Sequence, residues 1–290
     1  MNNKNDRDVT LSDRLLTLPQ YLIPQHALSV LMHKLTRSEL TWFKNAFIRF
    51  IIKKYKVNIE EAKTADIEEY RSFNAFFTRQ LREDIRPIAG GDVTVSPVDG
   101  AISQLGQIES GQIVQAKGRQ YSVLELLAGD QQLAQQFENG QFATIYLSPR
   151  DYHRIHMPQT GKLKSMTYIP GKLFSVSPRT ARAVPNLFAR NERVVTVFET
   201  EKGPMVLVLV GAIFVGSMET VWQGQITPDY GKKIEHWHYH DEQAITIGKG
   251  EEMGRFNMGS TVVMLMPEQC QSFLDELEAS STVKMGQAIT

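Results

Sequence analysis

The chain has 290 residues, which is enough to bury a sizeable core in one large domain or two smaller ones. Apolar residues make up 42% and charged residues 22%, the ordinary composition of a soluble globular protein. Because 32 basic and 32 acidic residues balance, the overall charge does not indicate a nucleic-acid partner. The single cysteine, Cys270, excludes an internal disulfide and fits a reducing compartment.

The first residues, "MNNKNDRDVTLSDRLL", contain no continuous apolar stretch followed by a small-residue cleavage site, so a secretory signal is not expected. The longest uncharged run, residues 204–218, has 15 residues, many of them β-branched. A membrane-spanning helix needs about 20 apolar residues. We therefore predict buried strands there and no membrane-spanning helix.

The N-terminal segment, residues 1–56, is basic, with ten Lys/Arg against four Asp/Glu. Within it, residues 40–55 have an apolar stripe at helical spacing, and most of the basic side chains lie off that stripe. The stripe consists of Leu40, Phe43, Phe47, Phe50 and Ile51, and the basic residues are Lys44, Arg49, Lys53 and Lys54. The pattern fits a core-packing helix with a solvated basic face. It fits equally well an interfacial helix that lays its aromatic face into an anionic bilayer.

The pattern changes along the chain from helical to strand-like. Residues 59–82 also look helical, with a break near Ser72. From residue 93 onward, short apolar runs alternate with Gly, Pro and Asp, which is typical of strands, and one helix over 122–137 interrupts them. The order predicts an α+β fold: an N-terminal helical segment followed by a β-rich body of sandwich-like or barrel-like sheets.

Two histidines three residues apart stand in "SPRDYHRIHMP", at 153 and 156. Zinc-binding histidines on a helix are commonly four apart with an adjacent glutamate, so the spacing is weak for a metal. His153 and His156 could be hydrogen-bonded loop residues, or one could act as a general base and the other as a general acid.

The "PVDGAI" segment contains Asp99 before a glycine, which predicts a hairpin turn. An aspartate in such a turn could instead orient a catalytic histidine. A third segment, "HWHYH" at 236–240, would place alternating histidines on one face of a strand. No cysteine or carboxylate completes a ligand set, so we predict a polar strand face and no metal.

Ser260 lies in "GRFNMGSTVVMLM", between Gly259 and an apolar run. The step predicts a tight turn before a buried strand, or a serine nucleophile directed at the chain's own peptide bond. The surrounding residues do not form the G-x-S-x-G elbow, so an ordinary serine hydrolase is disfavoured.

Several long blocks in fixed order resemble the bacterial phosphatidylserine decarboxylases, which depend on a pyruvoyl group. The blocks are "FNAFFTRQLR" with "RPI", "PVDGAISQLG", "AKGRQYSVLELLAG", "YLSPRDYHRIHMP", "NLFARNERV", "VLVGAIFVGSMETVW" and "GRFNMGSTV". The first 40 residues are the least diagnostic. Met258 stands where the family usually has leucine; the two side chains have similar volumes, so we expect cleavage to be retained.

The resemblance implies that Asp99, His156 and Ser260 form a charge relay for self-cleavage. Ser260 would attack the Gly259 carbonyl, and the chain would separate into a β chain, residues 1–259, and an α chain, residues 260–290. Ser260 would become an amino-terminal pyruvoyl group, the covalent cofactor that forms a Schiff base with the substrate amine. His153 is the candidate proton donor to the substrate carbon.

The resemblance further implies a lyase that decarboxylates phosphatidylserine to phosphatidylethanolamine. Residues 1–56 would be the membrane-associating segment and 57–290 the catalytic domain, attached peripherally to the cytoplasmic face of the bacterial inner membrane, with a homodimer as the expected assembly. Two alternatives remain at this point: a pyruvoyl-dependent decarboxylase of a soluble amino acid, and a non-catalytic lipid-binding module.

Overall fold

The structure, a computed structural model, describes residues 9–214, 217–227, 231–240 and 244–290. Eight α-helices lie in these residues: α1 Leu11–Thr17, α2 Gln25–Thr36, α3 Thr41–Tyr55, α4 Phe73–Phe77, α5 Val123–Leu126, α6 Gln131–Gln135, α7 Pro178–Ala183 and α8 Leu187–Arg190. Short 3-10 turns occupy Leu18–Tyr21 and Ile59–Glu61. None of the helices in the described part of the chain is long and apolar enough to cross a membrane.

Fifteen strands are found in the same residues: β1 Gly100–Gln107, β2 Gln112–Ala116, β3 Arg119–Ser122, β4 Gln141–Tyr146, β5 Arg154–His156, β6 Gly161–Ile169, β7 Arg193–Thr200, β8 Gly203–Val210, β9 Met218–Thr220, β10 Gly224–Gln225, β11 Glu235–His238, β12 Thr246–Ile247, β13 Glu252–Phe256, β14 Thr261–Met266 and β15 Thr282–Val283. The main sheet has the order β11-β6-β7-β8-β14-β4-β1-β15, with β12 also paired to β6. Smaller sheets are β10-β9-β13-β5 and β2-β3. The predicted α+β architecture is confirmed.

Strand β14 lies in the middle of the main sheet, antiparallel to both neighbours, with Thr261 opposite Tyr146 of β4 and Val210 of β8. Its six residues are all buried, because apolar side chains alternate between two packed faces. Val262 belongs to the apolar cluster on one face, and Val263 belongs to the cluster on the other. The sequence that follows Gly259-Ser260 is therefore the centre of the fold.

A third apolar cluster joins α3 to α4 and to the main body. Ile48 of α3 and Phe76 of α4 are fully buried there, and the rings of Phe47 and Phe73 stack with centroids 4.2 Å apart. The side chain of Met258 packs against this cluster and also against one face of the sheet. The helical segment thus contacts the residue just before the Gly259-Ser260 bond.

The strand predictions from residue 93 onward are confirmed except at residues 211–214, which form a turn after β8. Two helix predictions are wrong. Residues 59–82 form only the 3-10 turn and α4; before α4, Asp66 accepts from the Glu68 amide and competes with helical pairing. The break predicted near Ser72 is confirmed, because Ser72 is extended and caps α4 by accepting from the Ala75 amide. The helix expected over 122–137 is two short helices, separated where Ala128 and Gly129 adopt positive φ.

Helix α3 also departs from its predicted faces. Lys44, expected on the basic side, is buried, and its Nζ donates to Asn45 Oδ1 and to the carbonyl oxygens of Ile67 and Glu68. Phe50, expected on the apolar stripe, is 54% exposed. Both differences arise because the chain after α3 folds back against the helix and decides which side is covered.

Candidate active site

The Gly259-Ser260 bond lies at the entrance to β14; Ser260 is fully buried and Gly259 is partly buried. The Leu147 amide donates to the Ser260 carbonyl oxygen at 2.8 Å, which continues the pairing with β4. A Cβ atom on residue 259 would lie 3.1 Å from the Leu147 carbonyl oxygen and 3.2 Å from His153 Nε2, so a side chain there would crowd its neighbours. Ser260 Oγ has no hydrogen-bond partner among the described residues.

His153 is the histidine beside this bond. Its Nδ1 donates to the Asp151 carbonyl oxygen at 2.8 Å, and because a carbonyl only accepts, Nδ1 carries the ring proton. Nε2 therefore presents a lone pair, and nothing in the described residues donates to it. The Phe77 ring packs against the imidazole at 4.1 Å between centroids. Burial lowers the pKa of His153 to about 3, so the ring is a neutral base at physiological pH.

His156 has other partners. It ends β5, and its Nδ1 donates to the Gly250 carbonyl oxygen at 2.8 Å. The Tyr152 hydroxyl donates to its Nε2 at 3.0 Å. Burial lowers the pKa of His156, so this ring is neutral as well. Both of its nitrogens are thus occupied away from Ser260.

Asp99 is not the exposed hairpin residue that the Asp-Gly step predicts, because it is buried just before β1. The Arg86 guanidinium pairs with its carboxylate, the Met285 amide donates at 2.9 Å and Lys284 Nζ lies at 3.2 Å. Burial alone would raise the pKa of Asp99, but these donors, led by Arg86, hold it below its usual value. The Asp-Gly prediction is wrong because the C-terminal segment folds over this residue.

Of the residues identified in the sequence, the structure brings together Gly259, Ser260 and His153. The hydrogen-bond partners described above for Asp99 and His156 do not include Ser260. The charge of Asp99 nevertheless favours the protonated form of both histidines. Sequence reasoning missed Arg86 and Tyr152. The "RPI" block contains Arg86, and that block was the only signal that could have identified it.

The "HWHYH" segment forms a strand edge, as its alternation predicts. His236 and His238 lie in β11, where His236 Nδ1 and Thr167 Oγ1 are 3.1 Å apart. The rings of His238 and His240 stack at 6.3 Å between centroids. His236 and His238 lie on β11, at one edge of the main sheet, and His240 follows that strand, whereas Ser260 precedes the central strand β14.

Comparison with known proteins identifies the family. The model of the phosphatidylserine decarboxylase family matches residues 73–290, and a second model, described as PSD, matches residues 15–56. Phosphatidylserine decarboxylase proenzymes of Nitrosococcus oceani and Dechloromonas aromatica are 54% and 56% identical to the chain. Each alignment covers 96% of this chain, and respectively 92% and 98% of the relative. The chain therefore belongs to the phosphatidylserine decarboxylase family.

Proposed function

We propose that the chain cleaves itself at Gly259-Ser260 and then decarboxylates phosphatidylserine to phosphatidylethanolamine through a pyruvoyl group made from Ser260. The observation that carries the proposal is the buried Ser260 Oγ, unpartnered among the described residues, next to a glycine whose Cβ position would lie 3.2 Å from His153 Nε2. The family membership and the proenzyme names of the relatives support the same activity.

In the proposed cleavage, Ser260 Oγ forms a bond to the Gly259 carbonyl carbon while the bond from that carbon to the Ser260 nitrogen breaks. The base takes the hydroxyl proton and delivers it to that nitrogen, which becomes a free amine. The ester that results loses the Gly259 carboxylate from the Ser260 β-carbon, together with an α-proton, and leaves a dehydroalanine. Hydrolysis of the dehydroalanine releases ammonia and leaves the pyruvoyl group on residue 260. Burial of the Ser260 side chain supports this course, because it limits the access of water to the ester before the elimination.

A pyruvoyl group fits the residues present. It would stand at the end of the central strand β14, beside a neutral histidine and a backbone with no side chain at 259. Once formed, the group supplies the electron-accepting carbonyl that none of the twenty side chains provides. His153, whose Nε2 faces this position, is our candidate to take up a proton that the substrate ammonium releases and to return it to the substrate carbon after carbon dioxide has left.

For the cleavage base we retain the relay of Asp99, His156 and Ser260 that the resemblance implies. In this relay, His156 must give up its hydrogen bonds to the Tyr152 hydroxyl and the Gly250 carbonyl. Asp99 must accept from His156 as well as from Arg86. His153 is the second candidate, because its Nε2 already lies at Gly259.

The two candidates are separated by His153→Gln and His156→Gln, each scored for cleavage and for turnover. We expect His156→Gln to stay a single chain, and His153→Gln to be cleaved but inactive. An uncleaved His153→Gln together with a cleaved His156→Gln would assign the cleavage base to His153. Tyr152→Phe, which removes only the hydroxyl bonded to His156, is the matched control for disturbance of that loop.

We also propose that the N-terminal helices attach the enzyme peripherally to the cytoplasmic face of the inner membrane. Helices α1 and α2 turn polar residues inward: Asp13 pairs with Arg182, and Gln25 Oε1 accepts from the Leu173 amide. Large apolar residues of this region point outward, namely Leu11, Leu15, Leu16, Leu18, Tyr21, Leu22, Leu31, Leu35, Leu40, Trp42 and Phe50. A surface with this inverted pattern fits the apolar part of a bilayer.

The decisive experiment follows the purified full chain and its Ser260→Ala variant on a denaturing gel, with intact mass and a decarboxylation assay. We expect two chains of residues 1–259 and 260–290, the smaller blocked to amino-terminal sequencing, and carbon dioxide release from phosphatidylserine but not from L-serine. Ser260→Ala should remain one inactive chain. An active protein consisting only of the intact chain would refute the proposal, and turnover of L-serine would favour the soluble amino-acid alternative.

A further inference from the structure

Arg79 is a buried cation with donors left over. The residue follows α4 and is only 4% exposed. Its Nη2 donates to the Arg150 carbonyl oxygen at 3.3 Å, and the Phe76 ring lies 5.2 Å from the guanidinium carbon. Its Nε and Nη1 have no hydrogen-bond partner in the described ranges. Buried N–H groups without acceptors are costly, so this guanidinium is suited to an anion that the chain itself does not supply.

A cavity of about 530 Å³ adjoins Arg79. Its basic lining residues are Lys63, Arg79, Arg154 and Arg255, and Glu69 is the acidic residue among the described lining. Arg154 pairs with Glu252 at 2.7 Å and Arg255 with Glu219 at 3.2 Å. Arg79 has no such ion pair among the described residues, although it is the most buried of these arginines.

The cavity and the Gly259-Ser260 bond share the same supports. The residue whose carbonyl Arg79 contacts, Arg150, lies between Pro149 and His153, both of which approach Gly259. Phe77, two residues before Arg79, packs on the His153 ring. A small molecule in the cavity would therefore lie near the reacting centre.

We propose that Arg79 binds the phosphate group of the lipid substrate. The identity of the lipid in this inference rests on the proposed function, whereas the existence of an anion site at Arg79 does not. In a serine phospholipid the amine is separated from the phosphate by two carbons and an ester oxygen, so the two groups reach neighbouring positions. Arg79 suits the phosphate better than the carboxylate, because a guanidinium on the carboxylate would stabilise the substrate more than the transition state for loss of carbon dioxide.

The binding test uses the full-length Ser260→Ala chain, which needs neither cleavage nor turnover. Calorimetric titrations compare sn-glycero-3-phosphoserine, L-serine and inorganic phosphate. We expect glycerophosphoserine to bind at least tenfold more tightly than L-serine. Arg79→Gln should abolish that difference and Arg79→Lys should restore part of it. Arg71→Gln, which removes an exposed arginine just before α4, is the matched control and should bind like the parent chain.

Thermal unfolding and circular dichroism check that each variant is folded. If Arg79→Gln does not fold, the parent chain is compared with Arg79→Lys, and glycerophosphoserine should bind more weakly to Arg79→Lys; equal binding would overturn the proposal. Equal binding of glycerophosphoserine and L-serine, or undiminished binding by folded Arg79→Gln, would overturn the proposal. Binding of inorganic phosphate without glycerophosphoserine would overturn it too, because the site would then take a free anion rather than a head group.

A kinetic test separates this inference from the proposed function. In the cleaved enzyme, Arg79→Gln should raise KM for phosphatidylserine in mixed micelles at least tenfold, with a smaller change in kcat and with normal cleavage at 259/260. An unchanged KM would contradict the inference. If the chain proves not to decarboxylate the lipid while the Arg79-dependent binding persists, the proposed function fails and the anion site stands.

Discussion

Glu192 is a buried carboxyl at the start of β7, and burial raises its pKa to about 7, although the Tyr168 hydroxyl donates to it at 3.1 Å. The folded chain then holds this proton more tightly than the unfolded chain, where the pKa is 4.5. Its stabilising contribution is therefore complete below about pH 4.5 and is lost as the pH rises towards 7, by on the order of 3 kcal/mol.

Glu192→Gln should remove this dependence, since an amide can still accept from Tyr168 without ionising. Urea unfolding at pH 5 and pH 8 should show that the variant loses less stability over this interval than the parent chain. Glu60→Gln, at an exposed position, controls for the loss of one carboxyl. An identical loss in Glu192→Gln and the parent chain would mean that Glu192 ionises normally.

Asp99 is held by Arg86, and this pair offers a second prediction at the residue scale. Replacing Arg86 with glutamine removes the positive charge that is paired with the buried Asp99 carboxylate. Loss of one partner of a buried ion pair typically lowers the free energy of unfolding by about 3–5 kcal/mol. Because Arg86 lowers the pKa of Asp99, the stability it provides is present above the carboxyl's unfolded pKa near 4 and is lost as the pH falls. Urea unfolding of Arg86→Gln should thus show a large loss at pH 7 and a smaller one at pH 3. Equal losses at both values would contradict the ion-pair explanation.

The sequence identified the candidate site residues but not their partners. Ser260, Asp99 and both histidines stand in blocks that the family resemblance singled out, whereas the Arg86–Asp99 pair depends on how the C-terminal residues 284–285 fold over β1. Which histidine faces Gly259 was equally out of reach. His153 and His156 are three residues apart; His153 precedes β5 and packs against Phe77, whereas His156 ends β5 and bonds to Tyr152 and Gly250.

At the scale of elements, α1 and the segment that joins it to α2 should carry membrane affinity through leucines rather than through charge alone. The double variant Leu15→Glu/Leu22→Glu places carboxylates on the outward surface and should reduce flotation with anionic liposomes at least tenfold. Both side chains are exposed, so folding should be unaffected. Leu124→Glu, an exposed leucine on α5, is the matched control and should float like the parent chain.

Point variants test this better than deletion of residues 1–56. Ile48 and Ile51 of α3 are part of the buried cluster with α4, so a deletion would expose Phe73 and Phe76 and confuse unfolding with loss of binding. If the double leucine variant binds liposomes normally, the outward leucines do not mediate attachment.

Elements differed in how well the sequence predicted them. Strands β8 and β14 were found because each has an uninterrupted apolar run buried on two faces, whereas β6, in which polar and apolar residues alternate, was not predicted. Helix α3 was found by its periodicity, but its buried side was not. That choice depends on the backbone carbonyls of Ile67 and Glu68, which accept from Lys44 after the chain has folded back.

At the scale of the whole molecule, the proposed cleavage would cut the chain without dividing the fold. The 260–290 piece contributes β14, paired on both sides, and β15 at the edge beside β1. Further along this piece, the Ile289 amide donates to the Thr94 carbonyl oxygen, and the Gln287 carbonyl oxygen accepts from the Ser96 amide. Five apolar side chains of β14 are buried. At about 1.5–3 kcal/mol for each side chain, this burial contributes on the order of 10 kcal/mol to the association of the 260–290 piece with residues 1–259.

The two cleaved chains should therefore remain together without a peptide bond. In native size-exclusion chromatography, residues 1–259 and 260–290 should co-elute, and they should separate only in denaturant. Val263→Asp places an unpaired carboxylate in the middle of the sheet and should prevent folding of the precursor. Glu268→Gln, on the exposed turn after β14, is the control, and its two chains should co-elute normally. Release of the small chain under native conditions would show that the binding free energy of the central strand is smaller than its burial indicates.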